Sequence, residues 1–321
     1  MGSIEALFPA AARARSNAYA PYSGFAAGAA LCTISGAIFS GANVENAAYP
    51  AGPCAEAAGA IAAMVAAGQS RIVIILVIEP VIVSYEDLLG FPQTSVPGHA
   101  GQLAIGIQEG VRVAYLQGRG HYYESGNAGA MASALETMAL LGAWTVLLTS
   151  TACSVRPGLY SGNIAMIADH INISGINPLV GTSADARFVN LVDAYDPRLR
   201  QRLKKASAGA GVSLQEVIYM WFPGPSFETP AEIKLARQLG ADVVWMSIVP
   251  EVILARRPGL RVAALSIVTN FGAGFSGGNP SHEETERAAL AGTIGLKRLV
   301  RNFLKTKDAT WGIEAKPERA N

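Results

Sequence analysis

Charge is what this sequence has least of. Only 15% of its 321 residues are Asp, Glu, Lys or Arg, and 25 basic side chains against 24 acidic ones leave a net charge of +1. A balance that close creates no field to draw in nucleic acid or an anionic membrane, so neither is expected as a partner. Cysteine is equally scarce. Cys32, Cys54 and Cys153 are too few and too scattered for a secreted disulfide framework, which points to a reducing, cytoplasmic setting. Long hydrophobic runs are missing as well. The most lipid-like stretch, Ile72 to Val83, is broken by Glu79 and Pro80 and falls short of the roughly 20 residues a membrane helix needs. Met1 to Asn17 mixes Glu5, Arg13 and Arg15 with alanine and lacks the apolar core of a signal peptide.

What is there suits a folded, core-forming chain. Half the residues are hydrophobic, with 34 Gly and 17 Pro, so the length allows one large domain or two modest ones without a metal or disulfide staple. The texture is uneven. About a third of residues 1–72 are alanine, far above ordinary usage. The four histidines, His99, His121, His170 and His282, all lie beyond residue 90. Two unlike pieces are joined.

Cys54 to Ala67 reads as a helix of small side chains, buried nearly all round and ended by Gly68. From Ile72 onward, short apolar runs alternate with helical patterns, the signature of an α/β layered fold. Strands are expected at Ile72–Ile78, Val111–Leu116, Trp144–Thr149, Ile218–Phe222, Val243–Met246 and Val262–Thr269. Helices are expected at Ala128–Leu141, Pro197–Ala206, Pro230–Leu239 and His282–Leu304. Thr229-Pro230-Ala231-Glu232 and Ser281-His282-Glu283-Glu284 are capping boxes, whereas Ser213 to Glu216 has the same spacing but leads into a β-branched, aromatic strand.

Three spaced motifs, AYAPYSGFAAGAAL, GANVENAAY and PCAEAAGAI, arrive in order between Ala18 and Ile61. Together they resemble the first half of a cytidine deaminase. The resemblance implies a zinc-ligating Cys54, a proton-shuttling Glu56, ribose contacts from Asn43 and Glu45, and Phe25 beside the base. A thiolate at a helix N-terminus and a neighbouring non-ligating glutamate suit that chemistry. However, the family completes its metal site with a Pro-Cys-x-x-Cys pair, and this chain has none. One thiolate cannot hold a catalytic zinc, so zinc is not expected and Cys54 reads as a small structural thiol.

Beyond Tyr85 six further motifs appear: SVPGHAGQL, LQGRGHYYE, IADHIN, PGPSFETPAE, MSIVPEVILAR and VTN. These resemble a trimeric-type purine nucleoside phosphorylase over about two thirds of the chain. The fold implied is a mixed sheet flanked by helices, preceded by a truncated deaminase-like α/β segment. The activity implied is phosphorolysis of inosine and guanosine, with phosphate as co-substrate and no cofactor. By the same resemblance, Arg119, His121, Thr151 and Ser247 bind phosphate. Tyr123, Met246 and His282 face the ribose, Phe227 packs on the base, Glu228 accepts from the purine N1–H, and Asn270 bonds N7 and the 6-oxo group. His121, Glu228 and Asn270 are the expected catalytic set. Phe188 reaches into the neighbouring subunit of a homotrimer. His99 and His170 can be read as structural or as part of the site, and Glu251 with Arg256 reads as a buried ion pair. The expected division is a deaminase-like segment at 1–78, a phosphorylase-like domain at 79–305 and a polar tail at 306–321.

The chain also departs from that family. Ile72 to Val77 supplies the opening strand of the phosphorylase, but Ile78-Glu79-Pro80 follows where a Gly-Ser-Gly loop cradles phosphate. Ser150-Thr151-Ala152-Cys153 replaces Asn-Ala-Ala-Gly, and Trp245 replaces a glycine at the edge of the base pocket. Losing one preorganised donor slows an enzyme by about 100- to 1,000-fold, so reduced activity is expected. One deletion near residues 72–78, fusing neighbouring salvage genes, accounts for both truncations. The alternative is a nucleoside-binding or scaffold protein without turnover. Methylthioadenosine-type substrates are disfavoured by Asn270.

Overall fold

The computed structural model describes residues 4–21, 26–44, 60–69, 72–78, 81–96, 98–182, 188–278 and 282–306. Glu45, Cys54, Glu56 and Phe25, all expected in the deaminase remnant, lie outside these residues, as does the side chain of His282. The polar tail beyond Thr306 lies outside them too. Packing divides the chain into two units: Met1–Ser84 with Gln102–Leu116, and Tyr85–Gly101 with the remainder. This partition differs from the junction at 78 expected from the motifs, because the hairpin at 102–116 groups with the N-terminal residues.

In the first unit, helix α1 (Ile4–Arg15) precedes strands β1 (Gly28–Thr33) and β2 (Ile38–Ala42). A short helix α2 (Ala62–Ala66) and strand β3 (Ile72–Ile78) follow. Leu7, Ala10, Ala11 and Ala14 of α1 are buried, and their i, i+3, i+4, i+7 spacing forms one helical stripe. That stripe packs on the sheet, ordered β2-β1-β3, in which every residue of β1 is buried. The helix approaches so closely at Gly28 that a Cβ there would lie 2.2 Å from the Ala11 carbonyl oxygen. Only glycine fits that contact.

Two expectations change here. Strand Ile72–Ile78 forms, but it pairs antiparallel with β1 through six residues, so its ladder belongs to the N-terminal sheet. An apolar, fully buried β1 needs hydrogen-bonded neighbours on both edges, and β3 supplies the second. Of the alanine-rich helix expected at Cys54–Ala67, residues 54–59 lie outside the described ones, and the part described is not buried nearly all round either. Of α2 only Met64 is buried, and Val65 is 61% exposed. Ala60 and Met64 reach the cluster around Leu31, and the rest of the helix faces outward. Strands β4 (Val81–Ser84), β5 (Gln102–Gln108) and β6 (Val111–Gln117) form a separate antiparallel sheet.

The second unit is built on a closed five-stranded barrel. Its strands are β7 (Thr145–Ser154), β8 (Ile164–Ile171), β9 (Leu214–Trp221), β10 (Val243–Trp245) and β11 (Arg261–Phe271), in the order β10-β7-β11-β8-β9. Helices α3 (Tyr122–Ser125), α4 (Ala132–Leu140), α5 (Pro197–Ala210), α6 (Pro230–Gln238), α7 (Val249–Arg256) and α8 (His282–Lys305) surround it. Leu199 and Leu203 of α5, with Leu299 and Phe303 of α8, close one side of the core over Met166 and Leu265. The expected capping box forms at α6: Glu232 N–H donates to Thr229 Oγ1, and Thr229 N–H to Glu232 Oε2 at 2.7 Å. Ser213 to Glu216 does enter β9 and starts no helix. Ser281 lies outside the described residues, so the second capping box does too. Among the described residues, no helix is long and apolar enough to cross a membrane.

Candidate active site

The barrel determines where the chemistry sits. Strand β11 runs parallel to β7 and β10 runs antiparallel to it, so Asn270 and Val244 both lie opposite Cys153. A bulge between Val268 and Asn270 makes Thr269 the extra residue and turns Asn270 to that level. After β10, the chain passes Met246 and Ser247 into α7. Ile248 there has φ 73° and ψ −54°, with Val249 N–H bonded to the Ser247 carbonyl at 2.9 Å. This positive-φ γ-turn holds a β-branched residue in a conformation that stores on the order of 1–3 kcal/mol, and it aims Ser247 inward.

His121 opens the one-turn helix α3. Its Nε2 lies 3.1 Å from Ser247 Oγ, and its Nδ1 lies 3.1 Å from Glu124 Oε1. The ring is sandwiched between Tyr123, with centroids 4.7 Å apart, and His99, at 5.3 Å. Burial, reinforced by the Arg119 charge, pushes the His121 pKa down to about 4, so the ring is neutral at pH 7. His99 is shifted down by the same two causes. Burial opposes ionisation of Glu124, but hydrogen bonds from His121 and Ser95 outweigh it and hold the carboxyl below its ordinary value. His99 therefore belongs to the constellation, stacked on His121 and 3.4 Å from the Arg119 amide. His170 instead meets Tyr195 Oη at 3.1 Å, and burial lowers its pKa.

Arg119 donates through Nη2 to the Thr149 carbonyl and lies 3.5 Å from Glu251 Oε1. Glu251 thus pairs with Arg119 rather than with Arg256, because α7 turns its first-turn acid toward the site. Tyr219 ties the parts together. Its buried hydroxyl accepts from Ser247 N–H at 3.2 Å and lies within electrostatic reach of Glu251, Arg119 and Glu228. Thr151 is half-buried on β7, paired with Ile267 of β11.

On the base side, Gly224 is pressed against the Met246 thioether and the Tyr123 ring, which a Cβ would meet at 2.5 and 3.2 Å. Phe227 lies 5.9 Å from Trp245, so the tryptophan that replaces a small residue packs on the ring expected to contact the purine. Glu228 is 5% exposed, its Oε1 has no partner, and burial raises its pKa to about 7. Asn270 is equally buried. Its Oδ1 accepts from Thr269, while its Nδ2 has no partner. Among the described residues, this buried acceptor and this buried donor have no hydrogen-bond partner.

Residues 71–305 match the family model of the phosphorylase superfamily. The chain belongs to the phosphorylase superfamily. It is 39% identical over 225 residues to purine nucleoside phosphorylase 1 of Bacillus subtilis, covering 69% of this chain and 83% of that protein. It is 40% identical over 226 residues to the purine nucleoside phosphorylase of Bos taurus, covering 67% and 78%. The Schistosoma phosphorylase in complex with guanosine superimposes with a TM-score of 0.67 at 32% identity, covering 71% of this chain and 86% of that one. Its hypoxanthine complex gives 0.66. Residues 2–86 match the cytidine and deoxycytidylate deaminase zinc-binding region, so the chain joins parts of two families. Strands β3 and β4 fall within both matches.

Phe188, expected at a subunit contact, is 84% exposed. In the deaminase remnant, Asn43 Oδ1 accepts from Ala27 N–H at 2.7 Å and clips β2 to β1. Among the described residues, no group of three His, Cys, Asp or Glu side chains could hold a metal ion. Cys32 is buried on β1 with its thiol directed at the Thr33 carbonyl, and Cys153 contacts Asn270 in the other unit. Cys54 is then the only thiol left in the sequence for a site that wants three protein ligands.

Proposed function

We propose that this chain is a purine nucleoside phosphorylase that cleaves 6-oxopurine nucleosides such as inosine and guanosine with inorganic phosphate. The observation that carries the reading is the pair of buried, unsatisfied groups, Glu228 Oε1 and Asn270 Nδ2. A 6-oxopurine offers an N1–H to the first and N7 or O6 to the second. A phosphate oxygen forms the bond to C1′ as the C1′–N9 bond breaks, and the electron pair leaves with the base. Asn270 stabilises the charge that then develops toward N7 and O6. Arg119 holds phosphate on the opposite side of the sugar, which Tyr123 and Met246 face. On binding, the Ser247 hydroxyl turns from His121 Nε2 to donate to a phosphate oxygen, and that neutral ring nitrogen accepts from a protonated phosphate oxygen. His282, at the start of α8, serves the 5′-hydroxyl.

The exposed Phe188 supports a homotrimer in which it completes a neighbour's site. A reducing cytoplasm suits the buried thiols Cys32 and Cys153. Activity is reduced relative to relatives that keep the Gly-Ser-Gly loop, because Arg119 is already engaged by Glu251 and the Thr149 carbonyl. That same engagement favours the second reading, nucleoside binding without turnover. Phosphate-dependent release of hypoxanthine from inosine by the purified chain tests both. Release that disappears in Glu228→Ala and Asn270→Ala supports the phosphorylase. Binding without release, even at high phosphate, supports the second reading.

A further inference from the structure

We infer that the Cys153 thiol is a positioning residue that decides which end of the Asn270 amide meets the purine, and so sharpens the preference for a 6-oxo over a 6-amino base. The inference rests on the phosphorylase reading and deepens it.

Three side chains meet at the β11 bulge. Asn270 Oδ1 accepts from Thr269 Oγ1 at 2.6 Å and from Cys153 Sγ at 3.5 Å, while Nδ2 is buried without a partner. A carboxamide has two orientations of nearly equal shape, so its neighbours must choose between them. Thr269 does not choose. Its hydroxyl also lies 3.4 Å from the Ala152 carbonyl oxygen, so it can donate there and accept from a flipped Nδ2. The thiol does choose. An S–H donates to a carbonyl oxygen, whereas sulfur is a poor acceptor for an amide N–H.

With Oδ1 held toward Cys153, Nδ2 faces the base as a donor, matching N7 and the 6-oxo oxygen. The flipped amide presents Oδ1 instead, an acceptor suited to a 6-amino group. Cys153 is fully buried among Val155, Met220, Ile233 and Val244, so packing fixes the thiol in place. A glycine here carries no donor at all.

The test is calorimetric binding of hypoxanthine and of adenine to the whole chain and to its Cys153→Ala and Cys153→Ser variants. In Cys153→Ala the preference for hypoxanthine falls about five- to tenfold, the worth of one modest hydrogen bond. Cys153→Ser keeps a donor on the same Cβ, but its hydroxyl, like that of Thr269, can also accept from the flipped amide, so the preference falls part-way, by about two- to fivefold. If Cys153→Ala does not fold, Cys153→Val, similar in shape and without a donor, carries the same expectation. An unchanged ratio in Cys153→Ala overturns the inference, as does a ratio that Cys153→Val preserves, which assigns the effect to volume. A parent protein that binds neither base overturns the phosphorylase reading and this inference with it.

Discussion

His121 Nε2 lies 3.1 Å from Ser247 Oγ although 126 positions separate them in sequence, and both side chains are buried. The Glu124 carboxylate on the other ring nitrogen can only accept, so the neutral imidazole carries its proton on Nδ1. Ser247 therefore donates to Nε2. Removing that hydroxyl in Ser247→Ala leaves a buried ring nitrogen unpaired, a loss of about 1–3 kcal/mol. The expected outcome is a rise of about tenfold in the KM for phosphate at saturating inosine, larger than the fall in kcat. An unchanged phosphate KM removes Ser247 from the anion site.

Stability should fall on mild acidification. The His121 pKa is about 4 in the folded chain against 6.5 when unfolded, so between those values the unfolded state binds more protons. The contribution of His121 is complete above pH 6.5 and is lost as pH falls through about 4. His99 and His170 act in the same direction. Glu228 acts in the opposite one, because its raised pKa contributes stability below 4.5 that is lost as pH rises through about 7. Urea titrations of the parent and of His121→Gln isolate one group. From pH 6.5 to pH 4.5 the parent should lose about 2 kcal/mol more than the variant. Parallel losses would falsify the burial of a neutral His121.

Gly28→Ala should loosen the first unit. The added methyl would sit 2.2 Å from the Ala11 carbonyl oxygen and 2.5 Å from the Arg15 amide nitrogen, both backbone atoms of α1. No rotamer change relieves a backbone contact, so α1 must lift from β1 at a loss of about 1–3 kcal/mol. Hydrogen exchange reports it directly. Amides of α1 and β1 should exchange faster than in the parent, and protection equal to the parent's would mean that the helix adjusts without strain.

How much of this the sequence reveals depends on the range of the interaction. Arg119, His121, Glu228, Met246 and Asn270 sit in contiguous motifs, so local resemblance finds them. The α6 cap was legible because its spacing encodes the hydrogen bonds themselves. Glu124 carries a weaker signal, the capping-box spacing three residues after His121. Glu251 pairs with Arg119 and not with the sequence-near Arg256 because the α7 turn at Ile248, not proximity in sequence, directs it. Strands β1 and β8 are illegible in the sequence for a different reason. GAALCT and IAMIADHI lack the alternation or β-branched density that marks a strand, and their state is decided by burial between neighbours. The apolar run Ile72–Ile78 was legible as a strand but not as a partner of β1, since a strand's composition does not name its neighbour.

Glu228 gives the site its own pH dependence. Burial raises its pKa to about 7, so near neutrality the free protein is a mixture of acid and carboxylate. A 6-oxopurine N1–H needs an acceptor, and the carboxylate is the form with both oxygens free to accept. Binding therefore selects the ionised form and expels a proton. Between pH 8 and pH 6 the affinity for hypoxanthine should weaken about tenfold, following the fraction ionised. Glu228→Gln keeps an acceptor oxygen but does not titrate, so its affinity should be lower at pH 8 and flat across the same range. Proton release on binding, measured by calorimetry in buffers of different ionisation enthalpy, should approach half a proton at about pH 7 in the parent and vanish in the variant. A pH-independent parent would show that Glu228 does not receive the N1–H.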